Sequence, residues 1–82
     1  MCRNITILRG LQPPATPEEI EAAARQYVRK VSGATKPPVG AEATFEAAVT
    51  AVAAATASLL EQLPARRNPP ATVPPLRIHG RP

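Results

Sequence analysis

Apolar residues recur along the chain in two helical registers separated by proline. Ile20, Ala23, Ala24, Tyr27, Val28 and Val31 repeat at spacings of three and four, the period of one helical face, while Glu21, Arg25 and Arg29 form an i, i+4 ladder elsewhere on the helix surface. Thr16-Pro17-Glu18-Glu19 supplies the start. Thr is placed to cap, Pro to take the first helical position, and Glu19 to close a capping box three residues after the cap. Ser32-Gly33 supplies the stop, with Gly33 placed for the left-handed C′ conformation. The pattern predicts a helix over about 16–32.

The second register reads Phe45, Ala48, Val49, Val52, Thr56, Leu59, Leu60 and Leu63. It begins between Gly40 and Thr44 and must stop at Pro64, which predicts a helix over about 41–63, roughly 34 Å long against roughly 24 Å for the first. The excess turns protrude from a simple hairpin and are the best reason in the sequence to expect another chain there. Alanines 47, 48, 51, 53, 54, 55 and 57 offer a surface a second helix backbone can approach closely. The connection through Lys36-Pro37-Pro38 is short enough to make the two helices antiparallel neighbours.

Ahead of the helices, Arg3-Asn4-Ile5-Thr6-Ile7-Leu8-Arg9 is β-branched and fits either an extended arm laid over the helix pair or one short edge strand. One strand makes no sheet, so the arm (1–15) is the favoured reading, with Ile5, Ile7 and Leu8 covering the helices. Residues 64–82 lack periodicity and hold six of the chain's eleven prolines, so they are expected to form a flexible tail beyond a helical domain of residues 1–63. The fold class is all-α: an antiparallel helical hairpin with an extended N-terminal arm and a disordered, basic, Pro-rich C-terminal tail.

Composition makes that core marginal. Eighty-two residues bury only about 60% of the surface the unfolded chain exposes. Phe45 and Tyr27 are the only aromatics, and much of the apolar fraction is alanine. Self-association or a partner is expected to complete the fold. No segment is expected to reach the roughly 20 consecutive apolar residues of a membrane span, and the N-terminus lacks a signal-peptide core, which places the protein in the cytoplasm.

The net charge of +4 resides in the tail. Residues 1–63 balance Arg3, Arg9, Arg25, Arg29, Lys30 and Lys36 against Glu18, Glu19, Glu21, Glu42, Glu46 and Glu61, whereas Arg66, Arg67, Arg77 and Arg81 have no carboxylate in their segment. The cations at 25, 29 and 30 form a basic patch near the end of the first helix. Such a patch suits RNA or an acidic surface, while the favoured reading is a solvated helix face that complements the helix dipole and the carboxylates of the second helix.

Met1-Cys2-Arg3-Asn4-Ile5, Pro13-Pro14-Ala15-Thr16, Glu18-Glu19-Ile20, Ala23 through Lys30 and Ser32-Gly33 together resemble the bacterial family of uncharacterised proteins known as DUF2277. The likeness continues through Lys36-Pro37, Phe45, Ala48-Val49, Val52-Ala53 and Leu59-Leu60, to about residue 63. It implies a small cytosolic bacterial protein and supplies no catalytic residue.

Little in the chain suggests catalysis. There is no aspartate, the six glutamates lie largely on helix surfaces, and no nucleophile–base pair or glycine-rich phosphate cradle appears. One cysteine and one histidine provide no internal disulfide and no four-ligand zinc site, so no cofactor is expected. Cys2 is the exception to watch. Removal of Met1 would set its thiol beside an α-amine and Arg3, both favouring thiolate, while the plainer reading is a small apolar residue tucked against the helices. Pro74-Pro75-Leu76-Arg77 only partly matches a polyproline ligand, and His79 reads as an exposed tail residue.

The functional expectation is a non-enzymatic interaction module, self-associating or docking on a protein through Tyr27, Val28, Val31, Phe45, Val49, Val52, Leu59 and Leu63. The alternative is an RNA- or ribosome-associated accessory protein using Arg25, Arg29, Lys30 and the tail arginines.

Overall fold

The computed structural model describes residues 5–79. They contain three helices and no strand: α1 (Pro17–Ser32), α2 (Glu42–Gln62) and the short α3 (Pro75–His79). The edge-strand alternative for residues 5–9 therefore falls away.

α1 is closed at both ends by its own sequence. Thr16 is extended (φ −87°, ψ 159°) and its Oγ1 accepts from the Glu19 N–H at 3.1 Å, while Glu19 Oε1 accepts from the Thr16 N–H at 2.9 Å. Two donors at the helix start are thus satisfied reciprocally. At the other end Gly33 takes φ 70°, and its N–H donates to the Arg29 carbonyl at 2.9 Å. Glutamates in the first turn and Arg29 and Lys30 in the last complement the helix dipole.

α2 is closed by neither device. Its N-cap, Ala41, makes no side-chain hydrogen bond, and the last turn carries no basic residue. The chain leaves through an extended Leu63, and Pro64 prevents continuation. Twenty-one residues give it a length of roughly 31 Å, yet only Phe45 and Val49 are buried.

Two apolar clusters join the elements. Ala24 and Val28 of α1 pack with Phe45 and Val49 of α2, flanked by Ala48, Val52 and Ala53. The second cluster brings Leu8 and Leu11 onto Ile20, against Ala57 and Leu60 from late in α2 and Val73 from the tail. Residues early in α1 therefore share a cluster with residues late in α2, and the reverse holds in the first cluster. Burying each large side chain contributes about 1.5–3 kcal/mol.

Three expectations need correction. Of Ile5, Ile7 and Leu8, only Leu8 is buried; Ile5 and Ile7 are about half exposed, and Leu11 takes the second covering position. The reason is Gly10, whose φ of 87° turns the chain between the two leucines so that both face Ile20.

The tail is not structureless either. It carries α3, and Arg77 reaches back 58 residues to Glu19, with Nε to Oε2 at 2.7 Å. The same guanidinium donates to the carbonyls of Pro13 (2.6 Å) and Pro14 (3.0 Å). Proline-rich chain forms no internal ladder, which leaves these carbonyls available to a fork of N–H donors. Arg9 Nε likewise donates to Pro64 O at 2.8 Å, and Gly10 lies so near Arg66 that a Cβ there would fall 2.9 Å from the Arg66 Cβ. Local periodicity did not register these contacts because they pair segments more than fifty residues apart.

Finally, α2 is long and apolar enough to cross a membrane by length and composition, contrary to expectation. Between Glu46 and Glu61 it holds only Ala, Val, Leu, Thr and Ser, with no charged residue.

Candidate interaction surface

The eight apolar residues picked out by sequence divide between two roles. Val28, Phe45 and Val49 are buried in the α1–α2 cluster and Val52 is half-buried beside them. Tyr27, Val31, Leu59 and Leu63 remain exposed, Val31 at 65% and Leu59 at 54%. Tyr27 and Val31 lie one turn apart near the end of α1 and stay exposed, while Val28 between them packs on Phe45 and Val49. Cys2 lies outside the described residues.

A groove of about 870 Å³ opens beside the second cluster. Leu8, Leu11, Ile20, Ala53, Ala57 and Leu60 supply apolar wall, and Arg9, Glu21 and Glu61 supply its ionisable groups. Thr50 and Ala54 continue the α2 wall outward onto the exposed face. Ala53, Ala54 and Ala57 of this wall belong to the alanine surface noted in the sequence, whereas the groove between them and the arm was not foreseen. Alanine scores weakly as core, and the helical stripe was read from the larger residues, whereas here small side chains leave the space between arm and helices unfilled.

Arg25 ties α1 to α2 and to Glu21, one of the groove's lining residues. Its Nη1 lies 2.7 Å from Glu46 Oε2 and its Nη2 lies 2.9 Å from Glu46 Oε1, a bidentate pair bridging α1 and α2. Nη2 also holds Glu21 at 3.1 Å, one turn back. Hydrogen bonding first to Glu46 and then to Glu21 keeps the guanidinium protonated still more firmly, and the same bond holds the Glu46 carboxyl below its ordinary range. Exposed pairs add little stability, so the bridge chiefly sets how α1 and α2 are aligned.

Glu19 is the residue sequence reasoning understated. It is buried at 4% exposure, and its carboxylate serves both the Thr16 cap and Arg77. The Arg77 hydrogen bond is the largest influence and holds its carboxyl below the ordinary value, against the opposing effect of burial. The capping box was legible; its second partner was not.

Of the basic patch, Arg25 is committed to carboxylates, while Arg29 and Lys30 are exposed and join no ion pair among the described residues. Among those residues no group of three or more His, Cys, Asp or Glu side chains is arranged to hold a metal ion.

The family model for the uncharacterized conserved protein DUF2277 matches residues 1–78. The chain belongs to this family. The match passes residue 63, where the resemblance seen in the sequence ended, and takes in Val73 and Arg77. The tail that docks on the arm and α1 is thus part of the family pattern. No curated protein and no solved structure matches the chain.

Proposed function

We propose that this family member is an antiparallel helical hairpin, covered by an extended N-terminal arm, that acts as a cytoplasmic, bacterial, non-enzymatic interaction module docking on protein through its apolar helix faces. One observation carries the reading: α2 is apolar around most of its circumference, yet only two of its 21 residues are buried. A helix of that kind is normally enclosed by protein or by lipid. Burying it against protein suits the carboxylates at both ends of α2 and the Arg25–Glu46 bridge on its flank, which would meet apolar lipid in a spanning arrangement.

The alternative, an RNA- or ribosome-associated accessory protein, retains Arg29 and Lys30, with Arg66 and Arg67 in the tail. It loses Arg25 to Glu46 and Arg77 to Glu19, which reduces the cations free to meet phosphate. The two separate in one experiment: capture of the tagged full chain from its own lysate at low and high salt, before and after nuclease, alongside Leu59→Asp. A stoichiometric protein that survives salt and nuclease and is weakened by Leu59→Asp is the expected result. Recovery that vanishes with nuclease would replace this reading by the RNA alternative, and recovery of a lone monomer would remove both.

A further inference from the structure

Separately from docking on protein, we infer that the groove between the arm and the helices binds a single-chain amphiphile, with its apolar chain along α2 and its carboxylate head held by Arg9 and Arg66. Three observations select this occupant.

The first is the lining. The α2 wall runs roughly 20 Å from Thr50 to Leu63 and includes Ala53, Ala57 and Leu60, while Leu8 and Leu11 of the arm supply apolar wall from outside the helices. The 870 Å³ volume lies within the roughly 300–1,000 Å³ of small-molecule sites. An apolar wall of that length suits an extended hydrocarbon chain, because each methylene taken out of water adds a similar increment of affinity.

The second is the place for the head. Arg9 lines the groove, and its Nε donates to Pro64 O at 2.8 Å, which holds the guanidinium in place and leaves both Nη groups without a hydrogen bond among the described residues. Gly10, also in the lining, carries no side chain. A Cβ there would fall 2.9 Å from Cβ and 3.1 Å from Cδ of Arg66, so the Arg66 stem lies against the same stretch of backbone. The fold thus brings a cation of the arm and a cation of the tail to one end of the groove. Neither joins an ion pair among the described residues. Like charges set near one another cost free energy that a bound anion removes, and the planar fork of arginine matches a carboxylate.

The third is charge balance. Of the two carboxylates in the lining, Glu21 is already held by Arg25. Glu61 stands near Leu63 and joins no ion pair among the described residues. Arg9, Arg66 and Glu61, two cations and one anion, leave a net +1, which a singly charged head neutralises.

The test is calorimetric titration of the full chain with dodecanoate below its micelle concentration. One ligand per chain is expected. Decanoate, two methylenes shorter, should bind about tenfold more weakly, and dodecyltrimethylammonium should lose at least as much. This series uses the wild-type chain, so it decides the matter even where a variant fails to fold. Arg66→Gln should weaken dodecanoate about tenfold, and Glu61→Gln should tighten it about threefold. Ala54→Trp, at an exposed lining position, should fill the groove and abolish uptake, whereas Ala55→Trp, outside the lining, should leave it intact. Circular dichroism checks that each variant is helical. No uptake of dodecanoate by the folded wild type overturns the inference, as does equal affinity for the cationic analogue or indifference to Ala54→Trp. Flotation with phosphatidylglycerol vesicles in the absence of dodecanoate uptake would also overturn it, assigning the apolar surface to a membrane. Docking on protein is judged apart from all of these, since Leu59, whose substitution tests it, does not line the groove.

Discussion

α1 is amphipathic and α2 is apolar around most of its circumference, and the two are opposite in how they are held. α1 has a reciprocal capping box, proline at its first position, acids at the start, bases at the end and a left-handed glycine beyond. α2 has an alanine N-cap without a side-chain bond, no cation in its last turn and an abrupt end before Pro64. Local signals of that sort add about 0.3–1.5 kcal/mol each, enough to favour one conformation of a short segment. α2 lacks them and depends on packing, which is the usual source of helical stability in proteins. The difference teaches where each helix is vulnerable: α1 at its ends, α2 at its middle.

The largest effect should therefore come from the one large anchor of α2. Phe45→Ala removes the biggest side chain of the α1–α2 cluster and is expected to cost about 3–5 kcal/mol. In a chain this small that is most of the available stability, and thermal unfolding followed by circular dichroism should show the cooperative transition lost or displaced below physiological temperature. A sharp transition near the wild-type midpoint would mean that α2 is held by something other than this cluster.

A smaller effect is expected at the start of α1. Glu19→Ala removes the acceptor of the Thr16 N–H, about 1 kcal/mol, and at the same time releases Arg77 and with it the tail. Limited proteolysis should cut residues 64–79 faster in this variant than in wild type. The pair also has a pH signature. Because the folded-state carboxyl lies below its ordinary 4.5, the contribution is complete above about that pH and is lost as pH falls through the folded value. Glu46, lowered by Arg25, acts in the same direction. Wild-type stability should accordingly decline on acidification below pH 4.5 more steeply than that of Glu19→Gln, a variant that retains a capping side chain without the titrating charge.

The smallest of the three sits at the other end of α1. Gly33→Ala meets open space, with no atom near the new Cβ, so its cost reflects only the positive φ of 70° and should be about 1 kcal/mol. Leu63→Ala at the matching end of α2, where the backbone is extended, should cost less. Chemical denaturation of both variants would compare them, and a larger loss at Leu63 would reverse the contrast between the two helices.

The amino-acid order by itself determined the helical class, the extent of α1 to within a residue of its caps, the proline-limited span of α2 and the apolar registers to which Ala24, Val28, Phe45 and Val49 belong. Each of these is a local or periodic property, carried by residues within a few turns of one another. Tertiary structure alone decided that Leu11 rather than Ile5 or Ile7 covers the helices, that Glu19 serves the tail as well as its own cap, that Arg25 is taken by Glu46, and that small side chains leave a groove open beside α2. Those outcomes depend on which of several chemically equivalent groups meet across long stretches of chain. A carboxylate looks the same in sequence whether its guanidinium is four residues away or fifty-eight, and only the folded arrangement of the arm, the two helices and the tail selects between them.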